Sequence, residues 1–169
     1  MSENFDAFEK KIIETLNRFL VEVEVNNFKG DTPWTSAIKK MIGDLGLSQE
    51  FNCQVAIGGF PDKYEREWLF DIVWYIEDKE RRLKNLKLIV ECEWNKNYHA
   101  IKYDFEKILV GRAERRLFIC QSKKENIEEL FQKLQSSINE YENNSGDRYL
   151  IAILDCNTEE EFYFKTFTK

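Results

Sequence analysis

No apolar run in the 169 residues is long enough to cross a bilayer, so no membrane partner is expected. The opening residues, MSENFDAFEKK, lack the basic, apolar and small-residue order of a secretory leader, and the expectation is a cytoplasmic protein. Histidine occurs once, as His99, which excludes a metal site built on a histidine pair. Four cysteines, Cys53, Cys92, Cys120 and Cys156, stand far apart in apolar stretches and match no zinc spacing, so they read as reduced core residues. There is no glycine-rich phosphate loop, no nucleophile elbow, no repeat and no low-complexity linker. Nor is there a basic excess: 25 Lys and Arg face 31 Asp and Glu, a net charge of −6. That is not the footprint of a protein that coats nucleic acid indiscriminately.

What remains is 43% hydrophobic and 14% aromatic, enough for a core in a single domain over residues 1–169. Two apolar stretches carry acids. Asp71 lies in WLFDIVWY, and Glu91 and Glu93 lie in LKLIVECEW. Strands this apolar are normally covered on both faces, where an unpaired carboxylate is very costly to bury. A hairpin centred near Arg81 would set Asp71 opposite Glu91, with side chains on one face about 4.5–5.5 Å apart at Cβ, and Glu93 on the same face. Three converging carboxylates suit a hard divalent cation, so Asp71, Glu91 and Glu93 are the expected ligands of Mg²⁺, with Mn²⁺ able to substitute. The competing reading is a solvated sheet face on which each acid pairs with a lysine or arginine.

Helical spacing of apolar residues predicts a first helix over 4–23, and Pro33 suits the first turn of a second helix ending near Leu45. Strands are expected over 51–57, in the two acid-bearing stretches, over 116–120, and as a closing pair over 149–156 and 161–167. Further helices are expected over 98–111 and 125–141. This order is α/β with a mixed sheet. Basic residues gather at Lys79, Arg81, Arg82, Lys84 and Lys87, and again at Arg112, Arg115 and Arg116, but the acids among them favour solvated surface over a phosphate grip. Trp34, Trp68 and Trp74 read as core; Trp94 and Tyr98 read as packing residues with base stacking as the alternative.

The order helix, three antiparallel strands, helix, strand, with Asp71 on the second strand and the Glu91-x-Glu93 pair on the third, resembles the PD-(D/E)XK nuclease superfamily. The stretch from Gly59 to Gln121 carries the likeness. It implies a restriction endonuclease-like core (αβββαβ), here with an added N-terminal helix and a C-terminal helix plus β-hairpin. In that family the acids matching Asp71 and Glu91 hold catalytic Mg²⁺, and the reaction is hydrolysis of phosphodiester bonds in nucleic acid, usually DNA and sometimes RNA. Glu93 occupies the position where the family usually has lysine, a departure that some restriction endonucleases share. In other branches a lysine from the following helix reaches the site, and Lys107 in YDFEKIL is the residue that would do so. Members that cut both strands pair two sites across a two-fold axis, so a homodimer is also an expectation. The alternative is a catalytically silent relative serving as a protein-binding or structural module.

Overall fold

The computed structural model describes residues 4–26, 31–60, 62–142, 146–159 and 161–169. Two helices come first, α1 (Ala7–Asn26) and α2 (Asp31–Leu47), followed by β1 (Gln54–Ile57), β2 (Ile72–Glu77) and β3 (Leu83–Glu93). Then come α3 (Tyr98–Val110), β4 (Arg115–Ser122), α4 (Ile127–Glu140), β5 (Arg148–Asp155) and β6 (Phe162–Thr168). The six strands form one sheet in sequence order. Neighbours β1–β2, β2–β3 and β5–β6 are antiparallel, and β3–β4 and β4–β5 are parallel. The two parallel steps follow from α3 and α4, since a helix that crosses over a sheet returns the chain in its starting direction.

Alternation along the strands divides the core into two layers. Ile72, Trp74, Leu88, Val90, Leu117 and Ile119 face α1 and α2, where Ile12, Leu16, Phe19, Ile38 and Ile42 cover them. Val73, Tyr75, Ile89, Phe118, Ile151 and Ile153 face α3 and α4, beneath Ile101, Phe105, Ile108, Phe131 and Leu134. The apolar stripes of all four helices are thus spent on the sheet. No helix among the described residues is long and apolar enough to cross a membrane.

Two sequence expectations change. The strand expected over 51–57 begins only at Gln54, because Asn52 takes a left-handed conformation (φ 49°) at the end of the turn leaving α2. WLFDIVWY is not one continuous strand: the ladder starts at Ile72, and the residues before it form a loop. Trp68, expected in the core, is consequently 43% exposed, while Trp34 and Trp74 are buried as expected.

Candidate active site

The loop joining β2 to β3 is organised by Asp78, whose carboxylate accepts the backbone N–H groups of Glu80 at 2.9 Å and Arg82 at 3.0 Å. Arg81 takes the left-handed position there (φ 59°). Next to the tip Glu77 pairs with Leu83, and two irregularities follow, after which Trp74 pairs with Leu88, Val73 with Ile89 and Ile72 with Val90. Asp71, one residue ahead of β2, therefore lies opposite Glu91. Each irregularity moves the register by one residue. A regular hairpin continued from Glu77 and Leu83 would have set Asp71 against Ile89 instead.

Asp71 is held from two sides. Its Oδ2 accepts the backbone N–H of Cys92 at 2.8 Å, and its Oδ1 meets the Lys39 ammonium of α2 at 2.7 Å. Lys39 is almost fully buried and also bonds Glu67 at 3.1 Å. Burial works against its charge, but the two carboxylates outweigh that and raise its pKa. Lys39 and Glu67 escaped the sequence reading. The only signal for the lysine was that Asp71 needed a neutralising partner, and α2 offers two lysines in succession with nothing local to distinguish them.

Glu91 is 2% exposed. Its Oε2 meets Lys107 of α3 at 2.7 Å, and Lys107 also meets Asp104, one helical turn back, at 2.9 Å. The other oxygen, Oε1, is buried with no hydrogen-bond partner among the described residues. Burial is the largest influence on this carboxyl, and with help from the Asp71 and Asp104 charges it outweighs the lysine, pushing the pKa up to about 7. Lys107 stays protonated, because Glu91 and Asp104 together outweigh its own partial burial.

Glu93 turns to different partners. It accepts the backbone N–H of Asn95 at 2.6 Å, and its carboxyl lies within hydrogen-bonding reach of Asp104. Burial first, and the Asp104 carboxyl second, raise its pKa. The structure thus brings Asp71, Glu91 and Lys107 together and joins Glu93 to them through Asp104. Among the described residues no three acid, histidine or cysteine side chains are gathered closely enough to form a ready-made metal-ligand set. The arrangement sets an Asp71–Lys39–Glu67 group, reached from α2, next to a Glu91–Lys107–Asp104 group, reached from α3, with Glu93 joined to Asp104.

The other residues singled out from the sequence lie elsewhere. Trp94 is buried edge-on against Trp34 and donates its indole N–H to Thr35 at 2.7 Å. Tyr98 lies beneath the Lys133 ammonium, and His99 is exposed in the first turn of α3, where its backbone N–H is capped by Asn97. Most of the basic residues are turned inward or onto acids: Arg82 to Asp78 and Glu80, Lys87 to Glu114, Arg115 to Asp6, Arg116 to Asp147. The four cysteines are free.

Comparison of this chain with protein-family models, with curated proteins and with solved structures finds no match.

Proposed function

We propose that the protein is a metal-dependent nuclease that hydrolyses phosphodiester bonds, built on a restriction endonuclease-like core. One observation carries this reading: Asp71, just ahead of β2, comes level with Glu91 of the neighbouring β3 and accepts the N–H of Cys92 beside it, and a lysine from the next helix reaches Glu91. The strand order supports it, with an antiparallel β1–β2–β3 meander followed by α3 and a parallel β4.

The residues fit Mg²⁺ by their chemistry. The donors are oxygens only, and Mg²⁺ is commonly held by one or two carboxylates with water completing its shell. The Oε1 of Glu91, without a hydrogen-bond partner among the described residues, is a buried acceptor of the kind that a cation would satisfy. Asp71 and Glu91 would hold the ion, which in such sites lowers the pKa of water and offsets charge on the phosphoryl group. Lys107 would place a fixed positive charge beside the phosphate as negative charge builds on its oxygens. Lys39 would keep Asp71 oriented, and Glu93, backed by Asp104, would take up the proton of the attacking water.

The test is cleavage of single- and double-stranded DNA and RNA with Mg²⁺ or Mn²⁺, comparing the parent chain with Glu91→Ala and Asp71→Asn. Loss of cleavage in both variants, with the circular dichroism spectrum retained, is expected. Undiminished cleavage by Glu91→Ala would remove that carboxylate from the chemistry.

A second reading has its own observation. Lys39 already sits on Asp71 and Lys107 on Glu91, so each acid has a protein cation, as a catalytically silent structural or protein-binding module would require. The two readings part on metal: a silent relative shows no change in melting temperature on adding millimolar Mg²⁺.

A further inference from the structure

A nuclease must grip its substrate as well as cut it, and the charge on this molecule is badly disposed for gripping a duplex. Duplex binders neutralise many phosphates with lysine and arginine. Here the net charge is −6, and the two basic clusters are largely committed to the protein's own acids. Arg116, the innermost of them, is buried against Tyr149 and bonded to the Gly111 carbonyl.

What the site does have around it is exposed aromatic and aliphatic surface. Tyr103 is 69% exposed and Val110 66% exposed. They lie four residues before and three residues after Lys107, spacings that place all three on one side of α3. Trp68 and Leu69, the latter 81% exposed, lie on the loop that leads into Asp71. That loop is anchored at the end of α3, because the ring of Phe70 packs against Gly111. Trp68 is propped from behind by Tyr75, with ring centroids 4.6 Å apart, so its ring is braced while remaining partly open to solvent. Lys107 therefore shares its side of α3 with exposed Tyr103, the loop into Asp71 carries exposed Trp68, and the same segments hold two exposed cations, Arg66 and Arg112, with no ion pair among the described residues.

We infer that the substrate is an unpaired nucleic-acid strand, held by base stacking on Tyr103 and Trp68, with Lys107 meeting a backbone phosphate between them. This inference rests on the phosphodiesterase reading above for the place of the scissile bond. Stacking is available only to bases that are not already stacked in a helix, and it adds affinity beyond the phosphate contacts, so a strand that stacks needs fewer cations than a duplex does. An acidic protein with exposed aromatics beside its site thus discriminates against duplex by default.

The test measures fluorescence anisotropy of labelled twelve-residue oligo(dT), oligo(rU) and a DNA duplex of equal length, in EDTA so that no cleavage intrudes. Either single strand should bind at least about tenfold more tightly than the duplex, and the better of the two identifies DNA or RNA. Tyr103→Ala and Trp68→Ala should each weaken strand binding by about 5- to 100-fold, the effect of losing one stacked base. Tyr103→Phe and Trp68→Phe should restore it, since the aromatic face is what binds. Equal or tighter duplex binding, or Ala variants that bind as well as the parent, would overturn the inference. Hydrolysis of bis(4-nitrophenyl) phosphate, which has no bases to stack, separates the two proposals. No turnover with Mn²⁺ refutes the nuclease reading and leaves the binding result standing. Turnover that survives both Ala substitutions, together with unchanged strand affinity, refutes the stacking inference alone.

Discussion

Lys107 reaches from α3 to Glu91 on β3 with its Nζ 2.7 Å from Oε2, while the other oxygen of the same carboxylate is buried and unpartnered among the described residues. One ammonium thus satisfies half of a nearly inaccessible acid. Burial, which the lysine only partly offsets, raises the pKa of Glu91 to about 7, and that sets the behaviour expected of the site.

Replacing Lys107 with Met removes the cation and leaves Glu91 facing Asp71 and Asp104 without it. On the nuclease reading, phosphodiester hydrolysis should fall by about 100-fold or more, the scale of losing one preorganised charge that stabilises a transition state. Lys107→Arg should recover part of it. Rates equal to the parent's in Lys107→Met would show that the lysine is only a structural partner.

Glu91 should also make stability depend on pH. Its carboxyl ordinarily titrates near 4.5 and in the fold near 7, so the folded state holds its proton more tightly than the unfolded one. The stabilisation is therefore full below pH 4.5 and is lost as the pH rises through about 7. The two values correspond to at most about 3 kcal/mol. Urea denaturation of the parent against Glu91→Gln between pH 5 and 8 measures it: the difference should grow in favour of Gln as pH rises. A constant difference would mean that Glu91 titrates normally.

If Asp71 and Glu91 hold Mg²⁺ as proposed, metal should act in the opposite sense, because an ion needs the ionised carboxylate. The rise in melting temperature on adding Mg²⁺ should be small at pH 5.5 and larger at pH 8, and binding should release a proton in the intervening range. Isothermal calorimetry in two buffers of different ionisation enthalpy reads that proton directly. A Mg²⁺ effect that is equal at both pH values would place the ion away from Glu91.

Away from the site, Arg148 on β5 grips the nearly inaccessible Glu9 of α1 through two bonds, Nε to Oε1 at 2.8 Å and Nη2 to Oε2 at 2.7 Å, and Thr166 also donates to Oε1. Arg148→Met strands the glutamate in the interior. A loss of about 3–5 kcal/mol is expected, measured by denaturant unfolding. The double variant Arg148→Met with Glu9→Met should recover most of it, since both charges are then gone.

Gly111, directly after α3, has ordinary backbone angles, so its smallness is a matter of space. A Cβ there would come within 2.8 Å of the Phe70 ring. Gly111→Ala should cost about 1–3 kcal/mol by thermal melting and should shift the 66–70 loop, with lower strand affinity if Trp68 binds as inferred.

Patterning alone determined the element order and the apolar face of each helix, because a period of 3.6 or 2 in apolar residues is a local property that folding does not rearrange. Three things were decided only in the folded chain. Asp71 comes level with Glu91 because two irregularities between Trp74 and Glu77 shift β3 by two residues, and bulges leave little trace in hydrophobic alternation. Glu93 turned aside to Asn95 and Asp104 because it stands at the last residue of β3, where the chain leaves the ladder and local bonds compete for the carboxylate. Lys39 joined Asp71 from a helix 32 positions earlier in the chain, a contact that exists only once α2 has packed on the sheet. Electrostatic partners are chosen by distance in space, and sequence records distance along the chain.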